Sequence, residues 1–318
     1  MRLTVTLAVG ALLLVGCGGG DAAPVSSSPT PSPSETSASP SASPSALPTP
    51  SDGIPPGASP FSGLPGGEGK PVLAIKVDNT RPAQPHAGLR AADLVYVTEV
   101  EWDLTRFIAI FNSQIPDVIG PVRSARISDM DILVPFGKVA FSNSGAQSKL
   151  LPVIAAANLY DVSAEKAYSA FTNDPGRPSP VDHMADPRAL LAAAPDAELA
   201  RDIGFVFSEK PPVGGTPVST VTATWPSSEV SFTWDEEAGD FIVGLNGEES
   251  RSTEGGPQRA ATVVLQSVEQ SDSGYGDRYG GGYGDGGNGD GVFARRADDP
   301  LQALTTLTFT SVSNNPIQ

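Results

Sequence analysis

The stretch Gly120-Pro121-Val122-Arg123-Ser124-Ala125-Arg126 says more about the fold of this chain than any other. It follows Leu104–Asn112, whose β-branched and aromatic residues predict a strand. A proline suited to the first helical position, followed by apolar residues at helical spacing, predicts a helix over Val122–Val134. Arg123 and Arg126 are three residues apart, so we expect them to share one face of the first turns of this helix.

These two arginines have two interpretations, and the sequence leaves both open. As a binding site they would hold a carboxylate or a phosphate, because guanidinium forks, free backbone N–H groups and the helix dipole all favour an anion. The alternative is a structural brace of internal ion pairs, with Asp78, Asp93 or Glu99 as partners. Arg106 lies inside the predicted strand, which favours an internal ion pair for it. The full candidate set for an anion or ligand site is Arg106, Arg123, Arg126, Asp78, Asn79, Glu99, Ser124 and His183.

The composition excludes several classes of function. The 318 residues include 20 Lys and Arg against 36 Asp and Glu, a formal net charge of −16. This balance argues against nucleic acid as a partner, because phosphate binding needs clustered positive charge, although a local basic site can exist in an acidic protein. One cysteine excludes a disulfide framework, and two histidines, His86 and His183, exclude a metal site with several His ligands. We therefore expect no cofactor, and we expect His86, in a loop beside Pro85, to be solvated.

The N-terminus predicts a lipid anchor. Residues 1–16 have the form of a secretory signal peptide, with Arg2 before an apolar run, Leu3–Leu14, that is too short for a membrane span. The sequence Leu14-Val15-Gly16-Cys17 resembles the bacterial lipobox, which implies cleavage before Cys17 and its modification with diacylglycerol and palmitate. We expect a lipoprotein anchored through Cys17 at the extracytoplasmic face of the cell membrane, because several acyl chains together anchor firmly.

The rest of the chain divides into four parts by composition and pattern. Residues 17–59, the lipidated cysteine and a Ser/Pro/Thr-rich linker, lack the large apolar residues of a core and are predicted to be disordered. Residues 60–205 predict a mixed α/β (α+β) domain, with a strand over Val72–Val77, a β-hairpin over Asp93–Asn112 and an apolar helix over Gln147–Leu159. Asp186-Pro187 predicts the cap of a further helix over Arg188–Ala194. Residues 206–270 predict a smaller β-rich domain of short strands separated by turns. Residues 271–318 are a low-complexity, Gly-rich tail.

The Gly/Tyr/Asp repeats of Ser271–Gly291 permit two interpretations. Calcium β-rolls use Gly/Asp repeats, but here the spacing slips and the apolar residue of each coil is mostly missing. A flexible tail is the simpler interpretation. The alternation of a good strand, Ala261–Val268, ends abruptly before these repeats, and we interpret this as a translated frameshift that truncates the β-rich domain.

A set of motifs between Pro71 and His183 resembles the YerB-like bacterial lipoproteins, a family defined by a domain of unknown function. The resemblance implies the lipoprotein signal, the linker and a second, β-rich domain, a layout that this chain also predicts. This chain departs from the family pattern at Arg177-Pro178-Ser179-Pro180, where the family has an Arg-x-x-Pro-His-Asn loop. His183 is therefore displaced from the position of the family histidine, and its role is open. The motifs are Ala74-Ile75-Lys76-Val77-Asp78-Asn79, Gln84, Gly88-Leu89, Ala92-Asp93-Leu94-Val95-Tyr96, Glu99, Thr105-Arg106-Phe107-Ile108-Ala109-Ile110-Phe111 and Ile119–Arg126.

The leading function is a non-catalytic binding or scaffold module of the cell envelope, with a cell-wall polymer or an envelope protein as partner. The alternative is an envelope glycan or peptidoglycan hydrolase that uses a carboxylate pair from Asp78, Glu99 and Glu101. No catalytic residue is assigned, since the serines lack a Gly-x-Ser-x-Gly elbow. The chain has three tryptophans, Trp102, Trp225 and Trp234. We expect each of them to pack in a core or a hairpin, and stacking on sugar rings is the less favoured alternative.

Overall fold

The computed structural model of the protein describes residues 54–205, 207 and 216–266 and the backbone of Thr310–Val312. These residues belong to one compact unit. The predicted signal peptide, Cys17, most of the predicted linker and the Gly-rich repeats lie outside the described residues. Ala58 and Ser59, at the end of the predicted linker, are already buried.

A five-stranded mixed sheet forms the centre of the described structure. Its strands are β1 (Leu73–Asp78), β2 (Leu94–Glu99), β3 (Thr105–Phe111), β4 (Ala140–Ser142) and β5 (Tyr160–Asp161). Their order across the sheet is β2-β3-β1-β4-β5. β3 pairs antiparallel with both β2 and β1, whereas β4 pairs parallel with both β1 and β5. The sequence therefore predicted the β2–β3 hairpin and the β1 strand correctly.

Both faces of this sheet are covered, which explains why every residue of β1 is buried. Leu73, Ile75 and Val77 point to one face, where they form a core with Phe107. Ala74 alternates to the other face and packs with residues of the first two helices. The helices are α1 (Ile127–Leu133), α2 (Leu151–Ala156) and α3 (Pro187–Ala192). Within the described part of the chain, none of the helices is long and apolar enough to cross a membrane.

Short elements complete this part of the fold. A two-stranded hairpin pairs β6 (Phe171–Asn173) with β7 (His183–Ala185). Asp186 caps α3 as predicted, because its carboxylate accepts hydrogen bonds from two backbone N–H groups of the first turn. Single 3-10 turns occupy Arg81–Ala83, Leu89–Ala91, Glu101–Asp103, Val134–Phe136 and Tyr168–Ala170.

A second sheet follows in the chain, and all its described pairings are antiparallel. Its strands are β8 (Thr220–Trp225), β9 (Ser228–Asp235), β10 (Asp240–Leu245), β11 (Glu248–Glu249) and β12 (Arg259–Ala260). The strands β13 (Val263–Leu265) and β14 (Thr310–Val312) form a separate pair. The predicted fold class, a mixed α/β part followed by a β-rich part, is confirmed.

The loop around His86 joins the two sheets. The backbone N–H of His86 donates to the carbonyl of Arg251 over 2.9 Å, and the N–H of Thr253 donates to the carbonyl of His86 over 2.9 Å. On the first sheet, the hydroxyl of Thr105 lies 3.2 Å from that of Ser228. The β-rich part is thus hydrogen-bonded to the first residue of β3 and to the loop after β1.

The structure corrects the helix predicted over Val122–Val134. The stretch Gly120–Arg126 is extended, and the helix α1 begins only at Ile127. The backbone N–H of Arg123 donates to the carbonyl of Lys76, which continues the sheet edge where β4 ends. A segment whose backbone groups bond to neighbouring strands cannot also form a helical turn, so sheet pairing overrides the helical spacing.

The predicted helix over Gln147–Leu159 exists but is shorter. It spans Leu151–Ala156, with Pro152 in its first turn. Proline cannot donate the backbone hydrogen bond that a longer helix would need at this position, so it marks the start of the helix.

Candidate functional site

The candidate site lies where β1 and β3 meet at one end of the first sheet. Asp78 on β1 is directly opposite Arg106 on β3, which is opposite Thr98 on β2. Paired residues of antiparallel strands present their side chains to the same face. The extended stretch Gly120–Arg126 runs along this end of the sheet, so its arginines reach the same region. We call Arg106, Arg123 and Arg126 the arginine cluster.

Arg123 forms an ion pair with Asp78. Its Nε donates to Oδ2 of the carboxylate over 2.6 Å. The Asp78 side chain is 2 % exposed, and the Arg123 side chain is 22 % exposed. The carboxylate also accepts the backbone N–H of Thr80 over 2.7 Å, so it terminates β1 as well as holding the arginine. Asp78 is thus one of the partners that the brace interpretation predicted.

Arg126 forms an ion pair with Glu101, in the hairpin turn between β2 and β3. The shortest contact is 2.5 Å, from Nε to Oε1, and Nη2 donates to Oε2 over 2.6 Å. Burial acts to raise the pKa of Glu101, but the Arg126 guanidinium and its hydrogen bond outweigh burial and hold that pKa below its usual value. Glu101 is therefore ionised at neutral pH and ties the hairpin to the stretch before α1.

Arg106 lacks such a partner. Its side chain is buried, and its Nη1 donates over 2.8 Å to the carbonyl oxygen of Ser124. No carboxylate among the described residues forms an ion pair with Arg106, so the internal ion pair predicted for it is wrong. Arg126 donates to the same Ser124 carbonyl over 3.3 Å, which places the two Nη1 atoms within about 6 Å of each other, a range in which like charges repel.

The electrostatics of Arg106 reflect this position. Burial lowers the pKa of Arg106, and the charges of Arg126 and Arg123 lower it further, whereas Glu101 and Asp78 act in the opposite direction. The pKa of Arg106 nonetheless stays at about 9, so the guanidinium is protonated near neutral pH. The structure therefore contains a buried positive charge that its described neighbours do not neutralise.

A fully buried ion pair lies beneath the cluster. Nζ of Lys76 is 2.6 Å from Oδ1 of Asp129, and both side chains are fully buried. The ammonium also donates to the hydroxyl of Thr98 over 3.0 Å. Burial lowers the pKa of Lys76 to about 8 although Asp129 opposes the shift, so the lysine is still largely charged at pH 7. The other carboxylate oxygen of Asp129 accepts the backbone N–H of Arg126 over 2.7 Å at the start of α1.

The charges at this end of the sheet do not balance. Among the described residues of this cluster, four cationic side chains meet three carboxylates, which leaves an excess of one positive charge in a protein of net charge −16. An anion that approached the partly exposed Arg123 would remove this excess. The cations are Lys76, Arg106, Arg123 and Arg126, and the carboxylates are Asp78, Glu101 and Asp129.

The other residues of the predicted set do not join the cluster, with one exception. Ser124 contributes its carbonyl oxygen. Asn79 lies on the opposite face of the sheet, where its amide donates to Thr105 over 2.8 Å, and Glu99 pairs with Thr105 on that face too. The His183 ring lies 3.1 Å from the amide oxygen of Asn173 in the β6–β7 hairpin.

Two of the predicted arginine partners are wrong. Asp93 accepts the backbone N–H groups of Asn112 over 2.7 Å and Ser113 over 2.8 Å, so it caps the end of β3 instead of pairing with an arginine. Glu99 is excluded by the alternation of side chains along β2, which directs it away from Arg106. Unless the register between two strands is known, the sequence does not show which of their side chains lie on the same face of the sheet.

The solvated position predicted for His86 is also wrong. His86 is completely buried, with Nε2 2.7 Å from the carbonyl oxygen of Asp78 and its ring against Phe107. Within the described residues, no group of three or more His, Cys, Asp or Glu side chains has a geometry that could hold a metal ion.

The sequence reasoning missed Lys76 and Asp129, although each left a signal. Lys76 interrupts the apolar run of β1, and a charge at an inward position of a buried strand requires a partner. Asp129 follows Arg126 by three residues, the spacing at which an acidic side chain bonds back to the N-terminal residue of a helix.

These features define a class: an α/β domain with a charged cluster at one end of its sheet, joined to a β-rich part. Residues 61–200 match a family profile described as "Protein of unknown function (DUF3048) N-terminal domain". Residues 61–200 therefore resemble this domain of unknown function, and the resemblance to YerB-like proteins stated from the motifs is confirmed.

Two comparisons with individual proteins agree with this assignment. A protein of Bacillus subtilis (strain 168), YerB, whose name marks it as a candidate lipoprotein, is 51 % identical over 59 residues. That match covers 19 % of this chain and 18 % of YerB, so it spans less than a fifth of either protein. The crystal structure of the YerB protein from Bacillus subtilis aligns with a TM-score of 0.54 at 24 % identity, over 68 % of this chain and 75 % of that one. This structural match concerns the fold alone.

Proposed function

We propose that this protein is a lipid-anchored lipoprotein of the cell envelope whose α/β domain binds an anionic ligand at the arginine cluster without catalysing a reaction. The observation that carries the proposal is the buried guanidinium of Arg106, which lacks a carboxylate partner among the described residues and lies beside two further arginines. A bound carboxylate or phosphate supplies the missing negative charge, and arginine forks suit both groups.

The arginine cluster has two roles in this proposal: its ion pairs stabilise the fold, and its remaining positive charge binds the ligand. Arg123 and Arg126 each hold a carboxylate, so most of their charge is used internally. Arg106 retains its charge, and Arg123, with 22 % of its side chain exposed, connects the cluster to solvent. The proposal therefore combines both interpretations of the sequence, and it no longer depends on a helix N-terminus.

The proposal of a lipid anchor rests on observations other than the arginine cluster. Cys17 ends an apolar signal segment and is followed by a Ser/Pro-rich linker, and a relative of similar sequence is named as a candidate lipoprotein. An anchored domain on an extended linker reaches polymers outside the membrane. A wall polymer that carries carboxylates or phosphates, or an acidic envelope protein, is the partner we propose.

The hydrolase alternative receives less support. A glycosidase needs one carboxyl group with a raised pKa to act as the acid. Glu101 instead has its pKa held below the usual value, and Asp78 is buried in an ion pair. Glu99 lies on the other face of the sheet from Asp78, so these two cannot flank one glycosidic bond.

The full chain with Arg106→Met tests the anion site, with inorganic phosphate as the probe and thermal unfolding as the readout. At ten times its dissociation constant, phosphate would stabilise the wild type by about 1.4 kcal/mol, or a few degrees in Tm. We expect R106M to lose this shift and, without phosphate, to unfold no earlier than the wild type, because a buried unneutralised charge has been removed.

Arg188→Met is the matched control, since Arg188 is a surface arginine that pairs with Asp117 over 2.5 Å. It should retain the phosphate shift of the wild type and report any general salt effect. Equal shifts in the wild type, R106M and R188M would reject the anion site. An R106M protein that is less stable but still responds to phosphate would identify Arg106 as a brace.

A further inference from the structure

Trp102 occupies an unusual position beside the arginine cluster. It directly follows Glu101, the partner of Arg126, in the turn of the β2–β3 hairpin. Its backbone is in the left-handed region, with φ 66° and ψ 24°, and Asp103 follows with φ 56°. In hairpin turns, Asn, Asp or Gly usually adopts this conformation, because a residue with a bulky side chain is strained there. The chain nevertheless has tryptophan at this position.

Packing does not explain this tryptophan. Its side chain is 61 % exposed, so the indole is not part of the core, contrary to the packing predicted for it. Trp234, by comparison, packs edge-on against Phe241 with ring centroids 5.1 Å apart. A strained backbone that displays a large apolar ring to solvent is a candidate ligand contact.

We infer that Trp102 and the arginine cluster together bind a saccharide that carries a carboxylate or a phosphate, with the pyranose ring on the indole and the anionic group at the arginines. The C–H face of a pyranose packs on an aromatic face, and tryptophan offers the largest such face. The hydroxyls of the sugar would find acceptors and donors in Glu101, the residue before Trp102 in the chain, and in its partner Arg126. This inference rests on the proposed anion site.

The overall charge of the protein supports a ligand with both features. At a net charge of −16, the molecule as a whole repels an anionic polymer, and the cluster offers an excess of one positive charge. An uncharged contact adds affinity without any dependence on charge. A free phosphate or carboxylate uses the arginines alone, whereas an anionic sugar uses both parts of the site.

Equilibrium calorimetry on the full chain tests the inference with three probes. N-acetylmuramic acid carries a carboxylate, N-acetylglucosamine 1-phosphate carries a phosphate, and N-acetylglucosamine is neutral. We expect one of the anionic sugars to bind at least about tenfold more tightly than the neutral sugar, a difference of 1.4 kcal/mol. Whichever of the two binds more tightly identifies the source of the negative charge.

Three variants separate the inference from the proposed function. Trp102→Asn suits the left-handed turn, so it should fold at least as stably as the wild type, and we expect it to lose about tenfold in affinity for the anionic sugar while keeping its affinity for inorganic phosphate. Trp102→Phe retains an aromatic face and should keep most of the sugar affinity. Tyr168→Asn removes an aromatic side chain that is 81 % exposed elsewhere and should change neither affinity.

The outcomes are distinct. If W102N binds inorganic phosphate and both anionic sugars as the wild type does, the role of Trp102 is rejected and the anion site stands. If the wild type binds neither phosphate nor an anionic sugar, the anion site and this inference fail together. Loss of sugar affinity in Y168N equal to that in W102N would also reject a specific role for Trp102.

Discussion

At the residue scale, His86 illustrates how burial fixes a protonation state. Its Nε2 lies 2.7 Å from the carbonyl oxygen of Asp78, which can only accept, so Nε2 carries the proton. Nδ1 is buried and has no hydrogen-bond partner among the described residues. Burial lowers the pKa of His86 below 6.5, and Arg177 also acts to lower it, although the contacts with Asp78 oppose the shift. The folded protein therefore holds this histidine neutral.

Protonation of His86 should destabilise the protein in mild acid. The unfolded chain binds a proton near pH 6.5 whereas the folded chain resists it, so the stability from neutral His86 is fully present above pH 6.5 and is lost as the pH falls. We expect His86→Gln, which keeps a donor but cannot titrate, to lose less unfolding free energy than the wild type, by at most about 2 kcal/mol between pH 6.5 and pH 5.

Chemical denaturation at a series of pH values measures this effect. His183→Gln is the matched control, because His183 is partly exposed and contacts Asn173 in a surface hairpin. H183Q should follow the wild-type pH dependence. Parallel curves for the wild type and H86Q would show that His86 does not control acid stability. The effect of Glu101 is separate, because its carboxylate titrates only below its usual pKa of 4.5.

At the element scale, the extended stretch Gly120–Arg126 connects several parts of the first sheet. Gly120 exchanges backbone hydrogen bonds with Ala87, and Val122 donates to the carbonyl of His183 over 2.7 Å. The segment thus holds the His86 loop and the β6–β7 hairpin against β1. Its glycine permits this close approach, since a Cβ at position 120 would lie 2.7 Å from Sδ of Met184 and 2.9 Å from the carbonyl oxygen of His183.

Gly120→Ala should therefore destabilise the fold by about 1–3 kcal/mol, the range for forcing extra atoms into a packed site. Gly145→Ala is the matched control, since Gly145 also has a positive φ, 133°, but has open space where a Cβ would lie. Urea denaturation of both variants gives the comparison. A loss in G145A as large as that in G120A would attribute the effect to backbone conformation instead of close packing.

At the scale of the whole molecule, the proposal is a binding domain held at the membrane by one lipidated cysteine. The described residues form one compact unit in which the β-rich part bonds to the loop around His86. Side-chain contacts add to this junction, including Gly88 N–H to the Glu254 carboxylate over 2.7 Å and Arg90 to the Pro257 carbonyl over 2.6 Å. The two sheets are thus connected through the same loop that buries His86.

The anchor predicts a specific modification. In a bacterial host fed an alkyne analogue of palmitate, the full chain should incorporate the label, and Cys17→Ser should not, because Cys17 is the one thiol of the chain. The double variant Cys17→Ser/Gly20→Cys keeps a thiol at the wrong position and should also remain unlabelled. Label in C17S, or its absence from the wild type, would contradict lipid attachment at Cys17.

Local patterns were enough to predict the strands, the hairpin and the cap of α3. Short apolar and β-rich runs predicted β1, β2 and β3, and the sequence Asp186-Pro187 predicted the start of α3. The stretch from Gly120 to Arg126 was misread because its apolar spacing suits a helix, whereas its backbone bonds go to residues distant in sequence. Helical spacing reports only on residues close in sequence. It therefore cannot show that the backbone of this stretch forms hydrogen bonds with a distant strand instead.

By itself, the sequence was enough to predict the resemblance of residues 61–200 to a domain of unknown function, the fold class and the three arginines, because these depend on residue type and local order. Tertiary structure alone decided their roles. The strand register placed Asp78 on the face of Arg106 and turned Glu99 away, and the hairpin turn brought Glu101 to Arg126. Whether a charge is neutralised depends on distances of a few ångströms between segments far apart in the chain, and only the folded chain sets those distances.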